Sequence, residues 1–310
     1  MFSLLAIALL GVTSAYKVGT GIYDITGPSV EINFMVGLVL CLWVGEWVSV
    51  CVYVVCVCVC ECVCMCVCRC MCRCMYMWVS KCVCVWLIIL TDVVSCEQGY
   101  AVPSQRGTGI LQRLRSRAYY IGDDNSHFVF VSADIGMGSD LLKMKVVDEV
   151  NKRLGEGIFT NDNIAISGTH THSGPAGFLQ YTIYQVTSWG FVSETFDTFL
   201  NGIVESIVMA YGNAKEGKIL VNQGELSDSN INRSPTSYLL NPEDERAKYN
   251  GDTDKNMLLL KMVGEDGSDI GMLNWFAVHG TSMNNTNTLV NGDNKGYASY
   301  LVEKVCAKRI

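Results

Sequence analysis

Residues 164–175 read IAISGTHTHSGP, a short apolar run that breaks into two glycines, two histidines and a proline. Ile164–Ser167 has the apolar, partly β-branched character of a buried strand. A stronger run of the same kind, Phe128–Ala133 (FVFVSA), precedes it. Between the two, Met144, Val147, Val150 and Leu154 recur at three- and four-residue spacing, and Gly155 supplies a helix stop. Strand, helix and strand in succession are the unit of an α/β sheet. Further on, Phe196, Phe199, Leu200, Ile203, Ile207 and Tyr211 form one helical stripe that ends at Gly212. Ile219–Asn222, Met257–Met262 and Ile270–Val278 read as additional strands. The expected fold is α/β, with mixed β-sheets flanked by helices. The polar stretch from Asn222 to Asp254, with Pro235 and Pro242, is expected to be a long loop over the sheet, and such loops are often functional.

A chain of 310 residues with 50% apolar residues can bury a sizeable core, which excludes disorder. Its 23 Lys and Arg against 30 Asp and Glu give a net charge of −7. Phosphate contacts need clustered Lys and Arg, so nucleic acid is not an expected partner. Of 16 cysteines, 15 lie between Cys41 and Cys96, and from Cys56 to Cys74 every second residue is cysteine. Four readings of this tract compete. Thiolate metal sites favour C-x-x-C spacing, which lets a loop wrap the ion, and strict C-x-C fits that poorly. A strand would place every thiol on one face and invite aggregation. Two membrane spans, Val36–Val59 and Met75–Val94, would have to carry Glu46, Lys81 and Asp92. A translated TG dinucleotide repeat, read as Cys-Val codons, explains the pattern without chemistry. Val36 can begin with GT and Gln98 can end with AG, as an intron does, so 36–98 is read as a translated intron. Met1–Ala15 has an apolar run followed by small residues and reads as a secretory signal peptide.

The chain has only four histidines. His170 and His172 form an H-x-H pair, which on extended backbone would put both rings on one side, as a bidentate metal grip requires. His279 ends the run MLNWFAVH at 272–279 and precedes Gly280, a layout of strand, histidine and glycine turn like the first. Ligands bind beyond the carboxyl ends of strands in α/β sheets. Spacing alone leaves a metal site and ordinary hydrogen-bonded histidines both open. Hydrolytic zinc takes three or four ligands and keeps one position for water. No H-E-x-x-H motif is present, which excludes a common metalloprotease design. Arg233 lies in the long loop, where it is either an oxyanion-stabilising group or a surface arginine. Asn232 and Asn284 match the glycosylation pattern close to this region. His127, in a polar turn before a strand, is given no role.

At these residues the chain resembles the neutral ceramidases. The matching stretches are YKVGTGIYDITGP (16–28), GYAVPSQRGTGI (99–110), RLRSRA (113–118), NIAISGTHTHSGP (163–175), VTSWGF (186–191), NINRSPTSY (230–238), NWFAVHGTSMN (274–284) and GDNKGYASYL (292–301). They cover most of 16–35 and 99–304, the N-terminal part of a ceramidase-like catalytic domain. In the family a Met runs directly into Gly-Tyr-Ala, which joins Met35 to Gly99 and sets 36–98 apart. The resemblance implies a zinc amidase that hydrolyses the N-acyl bond of ceramide, taken from a membrane surface, to sphingosine and a fatty acid. It implies His170 and His279 as zinc ligands, His172 as a hydrogen-bonding or proton-transfer group, and Arg233 in the active site. It also implies a structural calcium held partly by the Ile110 backbone carbonyl, and a protein that is secreted or on the extracellular face of the plasma membrane. The family's remaining Glu and Tyr ligands, and its serine in a Gly-Asp-x-Ser motif, fall beyond the matched residues, and 305–310 reads as a divergent tail. The 310 residues alone are therefore expected to be inactive. Two other readings stand beside this one: a non-catalytic cysteine-rich metal-binding or membrane-attached protein, and a zinc amidohydrolase acting on another lipid amide.

Overall fold

The computed structural model describes residues 16–33, 54–56, 86–88 and 105–307. Residues 1–15, nearly all of the Cys/Val tract with its two span candidates, and residues 308–310 lie outside the described residues. The chain divides into two compact units, Met1–Val39 with Gln98–Ile310, and Leu40–Glu97. The larger begins with strands β1 (Tyr16–Asp24) and β2 (Val30–Asn33). In the smaller, β3 (Val54–Cys56) and β4 (Trp86–Ile88) pair antiparallel. The larger unit continues with β5 (Arg106–Ile110), β6 (Arg115–Gly122), β7 (His127–Ala133), helix α1 (Asp140–Leu154), β8 (Ile164–Gly168), α2 (Thr182–Ser188) and α3 (Ser193–Gly212). It closes with β9 (Lys215–Glu225), α4 (Pro235–Leu239), α5 (Glu243–Arg246), β10 (Asn256–Gly264), β11 (Asp269–Phe276), β12 (Leu289–Val290) and α6 (Asp293–Ala307). No helix among the described residues is long and apolar enough to cross a membrane.

Seven strands form one sheet in the order β11-β10-β9-β1-β6-β7-β8. Only β7 and β8 run parallel, joined by α1, so the sheet is mixed, as expected. A small second sheet has the order β12-β5-β2. Ser139 caps α1, its Oγ accepting from the Leu142 N–H at 3.2 Å, and Lys152 and Arg153 offset the dipole in the last turn. The helix buries Leu142, Val146, Val147 and Val150. Met144, expected on the buried stripe, is instead 56% exposed. Two residues on from Leu142 it has turned about 200° around a helix of 3.6 residues per turn.

Helix α3 buries the predicted Phe196, Phe199, Ile203 and Ile207 against β1 and β6. Close approach there depends on Gly21, where a Cβ would lie 2.1 Å from the Ser206 carbonyl. Gly21 pairs with Ala118, so this face of β1 and β6 belongs to α3, and the alternate residues Thr20 and Tyr119 face the other way. That other face meets β11. Gly271 sits against Thr20 and Tyr119, the Thr20 hydroxyl donates to the Ile270 carbonyl at 3.1 Å, and Trp275 meets Phe130 edge-on at 5.6 Å. The sheet thus coils back on itself, and its first strand in the spatial order crosses over its middle.

The stretch expected to be one long loop is shorter and partly ordered into helix. Strand β9 runs on to Glu225, and Pro235 starts α4 at the position where its missing N–H costs nothing. At the end of β1, the Asp24 carboxylate accepts from the Thr26 N–H at 2.9 Å and hydroxyl at 2.6 Å, with Arg113 and Arg115 alongside. Partial burial alone would raise this carboxyl, but the Thr26 bonds and the two arginines outweigh it and hold it below the usual carboxylate range. A depressed folded value stabilises above the ordinary carboxylate pKa and is lost as pH falls through the folded one. Asp24→Asn should therefore lower stability at neutral pH and flatten the acid limb of a stability-versus-pH curve, measured by denaturant unfolding. An acid limb as steep as that of the unmodified chain would refute this origin.

Candidate metal centre

The parallel strands β7 and β8 end side by side, and the backbone beyond them is tied together. The Thr169 N–H donates to the Ala133 carbonyl at 2.8 Å, and the His170 N–H to Ile135 at 3.1 Å. His170 adopts a left-handed conformation, φ 64°. The extended H-x-H geometry expected from the sequence is therefore not what unites the two rings. The chain has already left the strand, and a left-handed turn at His170 brings the rings together. Histidine tolerates this region better than most residues, and such strain clusters at functional sites.

The His170 Nδ1 lies 2.5 Å from the Gly136 carbonyl and donates to it, which leaves Nε2 as the lone-pair atom. That Nε2 is 3.3 Å from the His172 Nε2. His279 completes the group, its ring centroid 4.7 Å from that of His170 and 4.6 Å from that of His172. Strand β11 stops at Phe276, so His279 stands in the turn beyond it rather than ending the strand. Its Nδ1 lies 2.9 Å from the Thr281 hydroxyl, and with Nδ1–H donating, its Nε2 is also free to face the others. One ligand atom from each of the three histidines lies within 4.8 Å of the others. Two imidazoles oriented through Nδ1, with three nitrogens converging, are the donor set of a borderline-soft divalent cation.

Burial disfavours the charged form of two of these rings. Burial pushes His172 down to about 3, with the charge of His279 adding to the effect. Burial also lowers His279, reinforced by His170 and Arg233 and opposed by Asp293. A metal ligand must be the neutral ring, so both shifts favour the cation over the proton. Arg233, on an exposed stretch before α4, is close enough for its charge to reach His279. Ile110 ends β5 and pairs with Val290 of β12, its side chain 42% exposed. His127 lies apart from this group, its Nδ1 2.7 Å from the Tyr120 hydroxyl among Phe159 and Tyr211. Asn232 and Asn284 accept from the Ser234 and Thr286 N–H groups at 2.7 and 3.2 Å, as turn residues do.

The sequence marks Gly280 as a turn after His279, and the structure gives it a further role as a contact point. A Cβ on it would lie 2.2 Å from the His170 carbonyl oxygen, and its own carbonyl accepts from the His172 N–H at 3.3 Å. The two histidine turns are thus stacked backbone to backbone at this glycine. The close approach itself, which only a residue without Cβ permits, leaves no trace in the sequence beyond that glycine.

The family described as neutral/alkaline non-lysosomal ceramidase, N-terminal, matches residues 92–309, more than half of the chain and all three converging histidines. The chain belongs to this ceramidase family. Among curated relatives, the neutral ceramidase of Oryza sativa subsp. japonica is 48% identical over 206 residues, 66% of this chain and 26% of that protein. Neutral ceramidase A of Dictyostelium discoideum is 38% identical over 292 residues, 94% of this chain and 32% of that one. The crystal structure of neutral ceramidase from Pseudomonas aeruginosa superposes with a TM-score of 0.68 at 30% identity, over 92% of this chain and 35% of that one. The chain thus spans between a quarter and a third of the length of these curated ceramidases. Its mixed sheet and flanking helices are those of the ceramidase fold.

Proposed function

We propose that the protein to which this chain belongs hydrolyses the N-acyl amide bond of ceramide, giving sphingosine and a fatty acid, with zinc held by His170 and His279. The observation that carries this reading is the convergence of His170, His172 and His279 in a chain of the ceramidase family. Bound there, zinc would supply Lewis-acid polarisation of the amide carbonyl and a lowered pKa for water. His170 would present Nε2 because Gly136 fixes its Nδ1–H. His172, neutral at working pH, would accept and pass on a proton within the site. Arg233 would lend positive charge near the carbonyl oxygen as negative charge develops on it.

The 310-residue chain by itself is proposed to bind metal without hydrolysing ceramide. Residues 36–98 are proposed to be translated intron, Ile110 a backbone ligand of a calcium ion, and the protein to act at the outer membrane surface or in secreted form. Spliced transcripts that all retain the 36–98 codons would count against the intron. With the cysteine thiols alkylated, His170→Ala should reduce zinc content, measured by mass spectrometry of the purified chain, from about one ion to near none, because the site loses a ligand. The same substitution in the uninterrupted gene product should abolish ceramide hydrolysis. Hydrolysis that survives both His170→Ala and chelation would sink the proposal.

A further inference from the structure

We infer that the segment Asn287–Lys295, which runs through β12 into the first turn of α6, is the bracket that fixes the spacing of the metal centre. Its two halves hold the two histidine turns. The first half grips the H-x-H turn through the residues that alternate with the histidines. The buried Thr171 hydroxyl donates to the Asn291 carbonyl at 2.8 Å, the Asn291 N–H returns a bond to the Ser173 carbonyl at 3.0 Å, and Asn287 Nδ2 donates to Ser173 Oγ at 3.1 Å.

The second half grips the His279 turn. Buried Asp293 accepts from the Ser282 N–H at 2.8 Å through Oδ1 and from the Met283 N–H at 3.0 Å through Oδ2. Asn294 Nδ2 donates to the carbonyl of His279 itself at 2.7 Å and to Ser282 Oγ at 3.0 Å, and Lys295 Nζ donates to the Phe276 carbonyl at 2.8 Å. Asp293 takes a left-handed turn, φ 52°, which Asp accommodates well, and its N–H is satisfied by Asn291 Oδ1 at 2.9 Å. The two halves are therefore one continuous hydrogen-bonded unit. None of its residues belongs to the group of converging histidines, and its members are positioning residues.

This rests on the metal reading above, and the test separates the two. Co2+ titrated into the full 310-residue chain, its cysteine thiols first alkylated so that only the histidine site can give tetrahedral bands, is followed by its visible d–d bands, with metal-free thermal unfolding measured in parallel. Asn294→Asp is nearly isosteric but turns the donor to His279 into an acceptor, and Asn294→Ala removes it. Both should weaken Co2+ about 10–100-fold, the range for groups that orient a ligand, and shift the bands, while metal-free unfolding moves little. An unchanged spectrum and affinity in both variants, with the unmodified chain binding Co2+, overturns the bracket alone. An unmodified chain that gives no Co2+ bands overturns the metal reading and the bracket with it.

Discussion

Alanine in place of Gly280 is expected to weaken metal binding by about 100-fold or more, the upper end of what losing a ligand's support costs. The reason is contact with backbone on both sides. The new Cβ would lie 2.2 Å from the His170 carbonyl oxygen, 2.8 Å from its carbon and 3.2 Å from the Thr171 nitrogen. No side chain can rotate away to relieve that, so the His279 turn must lift off the His170–His172 turn. The His172 N–H bond to Gly280 would go with it. Overpacking of this kind also costs about 1–3 kcal/mol of stability. Calorimetric titration of the thiol-alkylated chain with Zn2+ beside denaturant unfolding checks both parts. Near-normal zinc affinity would show that the two turns are not held in contact through this glycine.

The largest expected loss of stability follows from Asp134→Ala. Asp134 is fully buried, and its Oδ2 accepts from Arg117 at 2.9 Å and from the Arg115 N–H at 3.0 Å. Arg117 is itself only 4% exposed and reaches Glu303 of α6 with its Nε at 2.6 Å. Removing the carboxylate leaves a guanidinium inside the protein with one partner at the solvent side. Loss of one member of a buried pair costs about 3–5 kcal/mol. Arg117→Met combined with Asp134→Leu removes both charges and should cost much less than the two single changes added together. A denaturant double-mutant cycle measures the difference, and additive single losses would contradict the pairing.

Much of the helical structure and the chemistry was legible in the residues. The α3 stripe buries Phe196, Phe199, Ile203 and Ile207 as its periodicity predicts, with Leu200 and Tyr211 half-buried. FVFVSA is a strand as expected but buries only Val129, Val131 and Ala133 fully, Phe128 being exposed. Four histidines in a whole chain made the three near strand ends conspicuous, and the structure brings those three together. The central strands were not legible, for physical reasons. β1 carries Gly19 and Gly21, which read as strand-breaking, yet Gly21 is what lets α3 approach. β6 contains Arg115 and Arg117 and reads as polar surface, although Arg117 is buried against Asp134. The bracket at 287–295 was hidden because asparagines, aspartate and glycine read as turn. Its work is done by caps on distant backbone, which leave no periodicity.

The coiling of the sheet makes completion of the metal centre a folding event. His170 follows β8, the last strand in the spatial order, and His279 follows β11, the first. The two can meet only after the chain has closed a loop of roughly a hundred residues, whose entropy must be met before any contact across it is gained. Non-local closure of this kind is characteristically slow and late. A cation that needs both histidines has little to hold in any partly folded chain, so its binding favours the finished sheet over everything that precedes it. The ion would act as a latch on the fold as well as a chemical group, and chelation would loosen the coiled sheet at the place where its two ends touch.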